Sequence, residues 1–461
     1  MTTSNEKDKG LARFMAPLIL SNMLNPLNST MLATAVIAIV SHFHQDTGSG
    51  ALLIVPLYFT SAIGQPLMGR LCDIFSAQKI NLFGLLLIML SGFLGFFAKD
   101  FNWLIASRIV LGLGSSAAYP SSITLIKRRY QALNVEVPGM ALGLIAIAGQ
   151  VSLAFGPFVG GVLLESFGWR GIFFVNVPLV LIGLGLSVGI KSEKEKRKHK
   201  SFRATMKDLD IVGLLLFSGF LYLFLLCLLY STGLYMRIPA AVVLLISFVA
   251  YEMKHERPFI DIRVLSLNFL LNTTFLRQAF ITFVLYLLLY GLPQWMEQSK
   301  GLSPSDVGLI MLPLSLTAMG ISLLFSKSKK STLLLLYGTI CVMGVAVGLF
   351  TFSKASSIVQ IVFITIIMGA GIGLLSIANQ FTLYKEAPPG EVGVCFGLYR
   401  TVGYIGAILA GSSLKHQFSK SANDQGMHIL GIYALGACLM IAVFMLPLFF
   451  KRRAVRVKVT I

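Results

Sequence analysis

The sequence is poor in charged residues and has few cysteines and tryptophans. Only 12% of its 461 residues are Asp, Glu, Lys or Arg, whereas a soluble domain has about 25%. Hydrophobic residues make up 56% of the chain, and the mean hydropathy is +0.81. This balance excludes an ordinary soluble domain. It predicts an all-α polytopic membrane protein, because a helix satisfies its own backbone groups in lipid.

Several chemistries lack their usual residues. The five cysteines show no CxxC spacing, which favours neither a disulfide framework nor a metal site. The six histidines form no HExxH, and no G-x-x-x-x-G-K-[ST] loop occurs, so neither an embedded enzyme nor an ATP-driven pump is supported. We expect no cofactor, no metal and no enzymatic activity.

Apolar stretches of about 20 residues, long enough to cross a bilayer, recur along the chain. They predict about 14 transmembrane helices, at 12–40, 51–70, 79–98, 102–126, 138–164, 172–190, 208–230, 236–252, 269–296, 304–325, 331–352, 357–383, 391–415 and 427–450. The expected organisation is an N-terminal six-helix half (1–190), a basic cytoplasmic linker (191–207), two extra helices (208–252), a second linker (253–268) and a C-terminal six-helix half (269–461).

The net charge is +19, and the basic residues lie mainly in short loops between apolar segments. If both termini are cytoplasmic, 28 Lys and Arg residues lie inside and seven outside, which satisfies the positive-inside rule. The charge therefore predicts orientation in a plasma membrane, with the lipid bilayer as partner and no nucleic acid. We expect a monomer.

The segment "GRLCDIFSAQK" follows the second span. Gly69, Leu71 and Asp73 match the G-x-L-x-D loop signature of the major facilitator superfamily, which this segment resembles. In that reading they form a gating loop, in which Gly69 permits close helix approach and Asp73 accepts hydrogen bonds in one state only. An ordinary solvated loop is the alternative.

Two further motifs resemble the same family. In "ASRIVLGLGSS", Arg108, Gly112 and Gly114 match its fourth-helix motif R-x-x-x-G-x-G, with snorkelling of Arg108 to the interface as the alternative. The segment "GLIAIAGQVSLAFGPFVGG" resembles its antiporter motif. There Gly143, Gly156, Pro157 and Gly160 match and Ser152 replaces a glycine.

The segment "GWRGIFFVNVP" resembles the entry into the sixth helix of the fourteen-helix drug:proton antiporter branch, and "GLYRTVGYIGAILAGS" resembles its penultimate helix. The resemblance covers nearly the whole chain. It implies a secondary active transporter of small molecules that works by alternating access, and an exporter of drugs or metabolites.

Charge inside the predicted spans is one-sided. No acidic residue lies near a predicted midplane, while three arginines lie inside spans. Family members that export cations commonly have an Asp where this chain has Asn28. We therefore expect a neutral or anionic substrate in a cavity formed by Asn28, Thr30, Gln150, Arg277, Gln380 and Arg400. The alternative is that these polar residues hydrogen-bond helix to helix.

Proton coupling requires a titratable group. The candidates are Asp73, Glu297, Asp306 and Glu391 at span ends, or a proton carried by the substrate itself. A proton-independent facilitator and a non-transporting membrane receptor or scaffold remain as alternatives.

Overall fold

The computed structural model describes residues 2–135, 139–187, 209–256, 258–260, 262–263, 268–325, 328, 331–388 and 392–459. Within these ranges every regular element is a helix. The α-helices are α1 Thr2–Ala33, α2 Val36–His42, α3 Ala51–Ile74, α4 Ala77–Phe96, α5 Phe101–Ser115, α6 Ala118–Ala132, α7 Gly139–Phe174, α8 Asn176–Ser187, α9 Ile211–Leu229, α10 Leu234–Lys254, α11 Phe269–Lys300, α12 Pro304–Leu324, α13 Ser331–Gly348, α14 Ile358–Glu386, α15 Val392–Gln417 and α16 Asp424–Val459.

Many of these helices can cross a membrane. Ten spans are long and apolar enough, or up to 12 if each bent pair, α1 with α2 and α7 with α8, counts as one span. Each predicted span overlaps one or two of the described helices, but the predicted count of 14 crossings is not confirmed. The all-α, multi-pass architecture is as expected.

Two helices bend at identifiable residues. The α1–α2 pair bends by 63° after Ala33, and α1 also carries Pro17 and Pro26. Within α7, Gly168 has φ +66°, a left-handed backbone that favours glycine. The chain reorients there before α8, which is inclined by 50° to the preceding segment.

The same helix pairs pack in the first and last sixes. In the N-terminal half (α1–α8), α1 packs on α7, α3 on α5, and α4 on both α5 and α8. In the C-terminal half (α11–α16), α11 packs on α15, α12 on α14, and α13 on both α14 and α16. The two halves therefore repeat one packing arrangement, although their sequences resemble each other only weakly.

Two helix pairs form most of the contact between the halves: α3 packs on α15, and α7 packs on α12. The helices between the halves lie to one side, where α9 contacts α3, α15 and α10. In the most apolar 18-residue stretch of α10, only 11% is buried inside the protein, so most of that helix is available to lipid.

The halves are fastened together at one end of the molecule. We call this the sealed end; it comprises residues 43–50, 299–305 and 415–424. Five hydrogen bonds were found between described residues of the two halves. All five lie within about 20 Å of this end, at 1.5 Å per helical residue.

Candidate functional site

Five tyrosines from both halves line the contact between them. We call this group the tyrosine column: Tyr58 on α3, Tyr119 on α6, Tyr286 and Tyr290 on α11, and Tyr404 on α15. The Tyr58 ring lies 4.8 Å from that of Tyr286 and 5.9 Å from that of Tyr404. The rings of Tyr286 and Tyr290 are 6.1 Å apart, one helical turn from each other.

An arginine lies at each end of the column. Arg400 on α15 places its guanidinium 3.8 Å from the centre of the Tyr119 ring, a cation–π contact between the halves. Arg108 on α5 is fully buried near Tyr58 and Tyr290. Measured along their helices from the sealed end, Arg108 lies at about 10 Å and Arg400 at about 26 Å.

The two ends of the column differ in exposure. Arg108 is 1% exposed and Tyr58 is fully buried, whereas Arg400 and Tyr119 are half-buried. The Arg400 end also lies beyond the last hydrogen bond found between the halves, which joins Ser315 Oγ to the Leu153 carbonyl at 3.0 Å. In this arrangement the column is closed at Arg108 and more accessible at Arg400.

The charged groups found against the column, among the described residues, are the two arginines. Tyr119, Tyr286 and Tyr404 interact with the Arg400 charge, and Tyr290 with that of Arg108. Tyrosine hydroxyls both donate and accept, and guanidinium groups only donate. This surface is suited to aromatic rings and to oxyanions rather than to cations.

A small apolar cleft of about 40 Å³ lies on the other side of α11. Leu285 and Leu289 face it from α11, next in sequence to Tyr286 and Tyr290, and Leu153 and Ser315 complete it from α7 and α12. Residues four apart share one face of a helix. α11 therefore presents tyrosines to one contact between the halves and leucines to the other.

Two of the predicted cavity residues hold helices of the N-terminal half together. Asn28 is 1% exposed and pairs with Asn176 on α8, with its Nδ2 2.6 Å from the Asn176 oxygen. Thr30 is buried and donates to the carbonyls of Pro26 and Ser152. These contacts support the alternative helix-to-helix role that the sequence left open.

Arg277 is likewise committed to packing. Its guanidinium donates to Asn379 Oδ1 at 3.0 Å, to the Phe444 carbonyl at 2.7 Å and to Thr274 Oγ1 at 2.8 Å. It is fully buried. The group ties α11 to α14 and α16, so of the two predicted arginine contacts the structure places only Arg400 on the column.

The remaining cavity candidates are less defined. Gln380 is half-buried on α14, next to Asn379. Gln150 lies on α7, and its side chain is outside the described residues. Among the predicted cavity residues whose side chains the structure describes, only Arg400 joins the tyrosine column.

The predicted gating loop is helical. α3 continues to Ile74, so Gly69, Leu71 and Asp73 lie in its last two turns, and the loop is reduced to Phe75 and Ser76. The apolar pattern placed the end of this helix too early, because a fall in hydropathy does not itself end a helix. The Asp73 side chain is outside the described residues.

The close approach expected at Gly69 is absent in this state, because a Cβ there would lie 3.8 Å from Pro120, an ordinary contact. The neighbouring Arg70 does reach another element: its guanidinium donates to the Pro258 carbonyl, after α10.

The glycines of the other two motifs are tightly packed. A Cβ at Gly112 would collide with Thr60 on α3, and one at Gly114 with the backbone of Gly84 on α4. In the antiporter motif, a Cβ at Gly156 would strike Thr30, and one at Gly160 the backbone of Met31. Small residues let helices approach closely.

In the antiporter motif, Pro157 contacts a helix of the C-terminal half, and Ser152 forms a hydrogen bond within its own helix. The Pro157 carbonyl lies against Gly308 on α12, so the motif touches the C-terminal half. Ser152 is buried, and its hydroxyl donates to the Ala148 carbonyl. Gly143 lies on the same helix, nearer its start.

The tyrosine column was not predicted from the sequence. Tyr286 and Tyr290 stand four apart within an apolar helix, a signal that marks one helix face. Nothing in the local sequence shows that Tyr58, Tyr119 and Tyr404 meet that face, because they come from helices far apart in the chain.

Comparisons with known proteins agree on one family. The family model described as Major Facilitator Superfamily matches residues 18–411. The chain is 32% identical, over 94% of its length and 97% of the relative's, to the uncharacterized MFS-type transporter YwoD of Bacillus subtilis. It is 25% identical to the multidrug efflux pump SdrM of Staphylococcus aureus, over 65% of each chain.

Among solved structures, the fold is similar to that of a bacterial homologue of the human lysosomal transporter Spinster. The TM-score is 0.66 at 14% identity, covering 94% of this chain and 97% of that one. The matched family model spans most of the helices described above, from α1 into α15. The chain therefore belongs to the Major Facilitator Superfamily and is a multi-pass membrane transporter.

Proposed function

We propose that this transporter exports small organic compounds that are neutral or anionic, by alternating access between the two halves. The observation that carries the proposal is the tyrosine column with an arginine at each end and no carboxylate found against it among the described residues. A cation would be repelled by both arginines, whereas an aromatic anion would find a ring surface and charged donors.

We infer which end takes up the substrate from orientation together with accessibility. The positive-inside prediction puts the sealed end outside the cell and the Arg400 end towards the cytoplasm. Arg400 and Tyr119 then form a cytoplasmic access layer, half-buried in this state. Opening of the sealed end would release the substrate outward. The resemblance to the antiporter branches and to SdrM supports this direction.

Proton coupling is the finer part of the proposal. Glu297, near the sealed end of α11, has a buried Oε1 that accepts no hydrogen bond from the part of the chain that the structure describes. Asp306 is exposed and accepts a hydrogen bond from Ser303 at 2.9 Å, which occupies it in capping α12. Glu391 and the Asp73 side chain are outside the described residues. Glu297 is therefore the coupling carboxyl best supported by geometry.

Efflux from whole cells tests the substrate class. Cells with and without the transporter are loaded with fluorescein, an organic anion, or with ethidium, a cation. We expect the transporter to speed the efflux of fluorescein but not of ethidium. Arg400→Gln should slow fluorescein efflux about tenfold, since a hydrogen bond to a charged group contributes about 1.5 kcal/mol, which corresponds to a tenfold change in affinity. Arg237→Gln, on α10 outside the column, is the matched control. Competitive export of ethidium alone would overturn the proposal.

A second arm tests coupling. A protonophore should slow fluorescein efflux, and Glu297→Gln should remove the dependence on a pH gradient while Asp306→Asn leaves it intact. Gradient dependence that survives in Glu297→Gln would exclude that carboxyl. Efflux unaffected by the protonophore would instead identify a proton-independent facilitator.

A further inference from the structure

Arg108 has a hydrogen-bonding group without a partner. Its Nε donates to the Leu53 carbonyl at 3.0 Å, but its Nη2 is buried and makes no hydrogen bond with the described residues. A buried polar group without a partner is rare in proteins, and an unpaired buried cation is costlier still. The position of Arg108, about 10 Å from the sealed end along α5, also excludes snorkelling as a full account.

A second buried polar group lies beside it. The hydroxyl of Tyr58, on the neighbouring helix α3, is fully buried, and the side chains that interact with it are Tyr286 and Tyr290 on α11 and Ser29 on α1. Tyr58 lies about 10 Å along α3 from the sealed end, level with Arg108. The nearby Tyr290 is not equivalent, because its hydroxyl donates to the Ser29 carbonyl at 2.8 Å.

The groups that cover this site belong to the other half. Arg108 and Tyr58 lie in the N-terminal half, whereas Tyr286 and Tyr290, which close over them, lie on α11. Separation of the halves at the sealed end would withdraw both covering tyrosines. The guanidinium and the hydroxyl would then face the opening together, on a surface that no other described cation shares.

We propose that Arg108 and Tyr58 form a second oxyanion site, which binds the carboxylate or sulfonate of the substrate when the sealed end is open. This inference rests on the proposed anionic substrate. Arg108 Nη2 and the Tyr58 hydroxyl both donate to the oxyanion, which gives Nη2 a partner and replaces the tyrosine partners on α11 that Tyr58 loses when the halves separate. Arg400 receives the substrate from the cytoplasm and Arg108 holds it before release, about 16 Å further along the column.

Counterflow in proteoliposomes tests the site from each side separately. The full-length protein is reconstituted, and fluorescein efflux is measured while the concentration of carboxyfluorescein on the opposite side is varied. A dye at the external face stimulates exchange only by binding with the sealed end open. The half-saturating concentration is determined for the external face and for the cytoplasmic face in the same preparation.

We expect Arg108→Gln to raise the external half-saturating concentration about tenfold and the cytoplasmic value less than about twofold. Arg400→Gln should show the reverse. Tyr58→Phe, which removes the hydroxyl and keeps the ring, should raise the external value about threefold. Arg108→Lys keeps the charge, so partial recovery relative to Arg108→Gln separates binding from misfolding.

The outcomes distinguish the site from the proposed function. Fluorescein transport with equal external half-saturation in wild type, Arg108→Gln and Tyr58→Phe would overturn the site alone. Transport of ethidium without any organic anion would overturn both. Stimulation by external sulfate or phosphate that Arg108→Gln abolishes would support the oxyanion site and identify an exchanged inorganic anion as its occupant.

Discussion

Asn28 and Asn176 hold each other by two reciprocal hydrogen bonds, in which each amide nitrogen donates to the other side-chain oxygen at 2.6 and 2.8 Å. The pair joins α1 to α8, and both residues are 1% exposed. Each nitrogen also donates to a carbonyl of its own segment, of Leu24 and Phe173. Neither side chain titrates, so the pair stays intact without a proton.

Removing either member should destabilise the fold. Asn28→Ala leaves the Asn176 side-chain oxygen buried without its donor from Asn28 and removes one of the two acceptors of the Asn176 nitrogen, for an expected loss of about 1–3 kcal/mol. Asn28→Ala and Asn176→Ala together should cost less than the sum of the two single changes, because they remove the same bonds. Thermal unfolding in detergent measures this, with the exposed Asn102→Ala as control. Strictly additive effects would refute the pairing.

The antiporter motif offers a steric prediction. Gly156→Ala places a Cβ against Thr30, so we expect a loss of about 1–3 kcal/mol and a lower folded yield. Gly69→Ala is the matched control, since its Cβ meets only Pro120 at 3.8 Å. Size-exclusion profiles and melting temperatures compare the two. Equal tolerance at both positions would contradict the close contact between α1 and α7.

Arg277 and Arg400 both lie inside predicted spans, but their replacement by glutamine should have different effects. Arg277→Gln removes donors to Asn379, Thr274 and the Phe444 carbonyl, and should cost at least about 3 kcal/mol of stability. Arg400→Gln should leave the melting temperature nearly unchanged while impairing transport of fluorescein. The two assays on the same preparations decide. Normal folding of Arg277→Gln would show that its hydrogen bonds are dispensable.

Asp210, at the start of α9, lies next to Glu252 on α10, and here a substitution should not lower the stability of the protein. Asp210 accepts from the Gly213 and Phe259 amides. The adjacent Glu252 is opposed by the Asp210 charge and interacts with the Phe259 and Ile260 amides and with Arg70. Glu252→Gln removes the repulsion by Asp210 and keeps an acceptor for those amides, so stability should be unchanged or higher by about 1 kcal/mol. The measurement is the melting temperature.

The control for this pair is Gly213→Ala, whose Cβ would strike both carboxyl groups and should lower the melting temperature. A marked loss of stability in Glu252→Gln would mean that the Glu252 charge has a stabilising partner.

Composition and apolar length predicted the helical class and the approximate positions of the helices, and the family was expected from short motifs that resemble it, because apolar length and short motifs are local properties of the sequence. The candidate site was harder to predict from the sequence. Asn28 and Arg277 were identified as polar groups in apolar helices, but their partners Asn176 and Asn379 lie far away in the chain. A polar residue that binds another helix and one that faces a cavity produce the same sequence pattern, so only the fold separates them.

The end of α3 shows the same limit at smaller scale. The drop in hydropathy at Arg70 suggested that the span had ended, yet the helix continues to Ile74. Hydropathy reports where lipid is expected, whereas helix termination depends on backbone chemistry. Here it comes at Phe75, whose extended backbone precedes the start of α4.

The hydrogen bond from Tyr290 to Ser29 links the halves through the main chain of α1, since its acceptor is the backbone carbonyl. No substitution at position 29 that preserves the helix can delete this acceptor. A scan of side chains along α1 would therefore find no substitution of Ser29 that removes this acceptor. Of the two groups in this hydrogen bond, only the Tyr290 hydroxyl belongs to a side chain and can be removed by substitution.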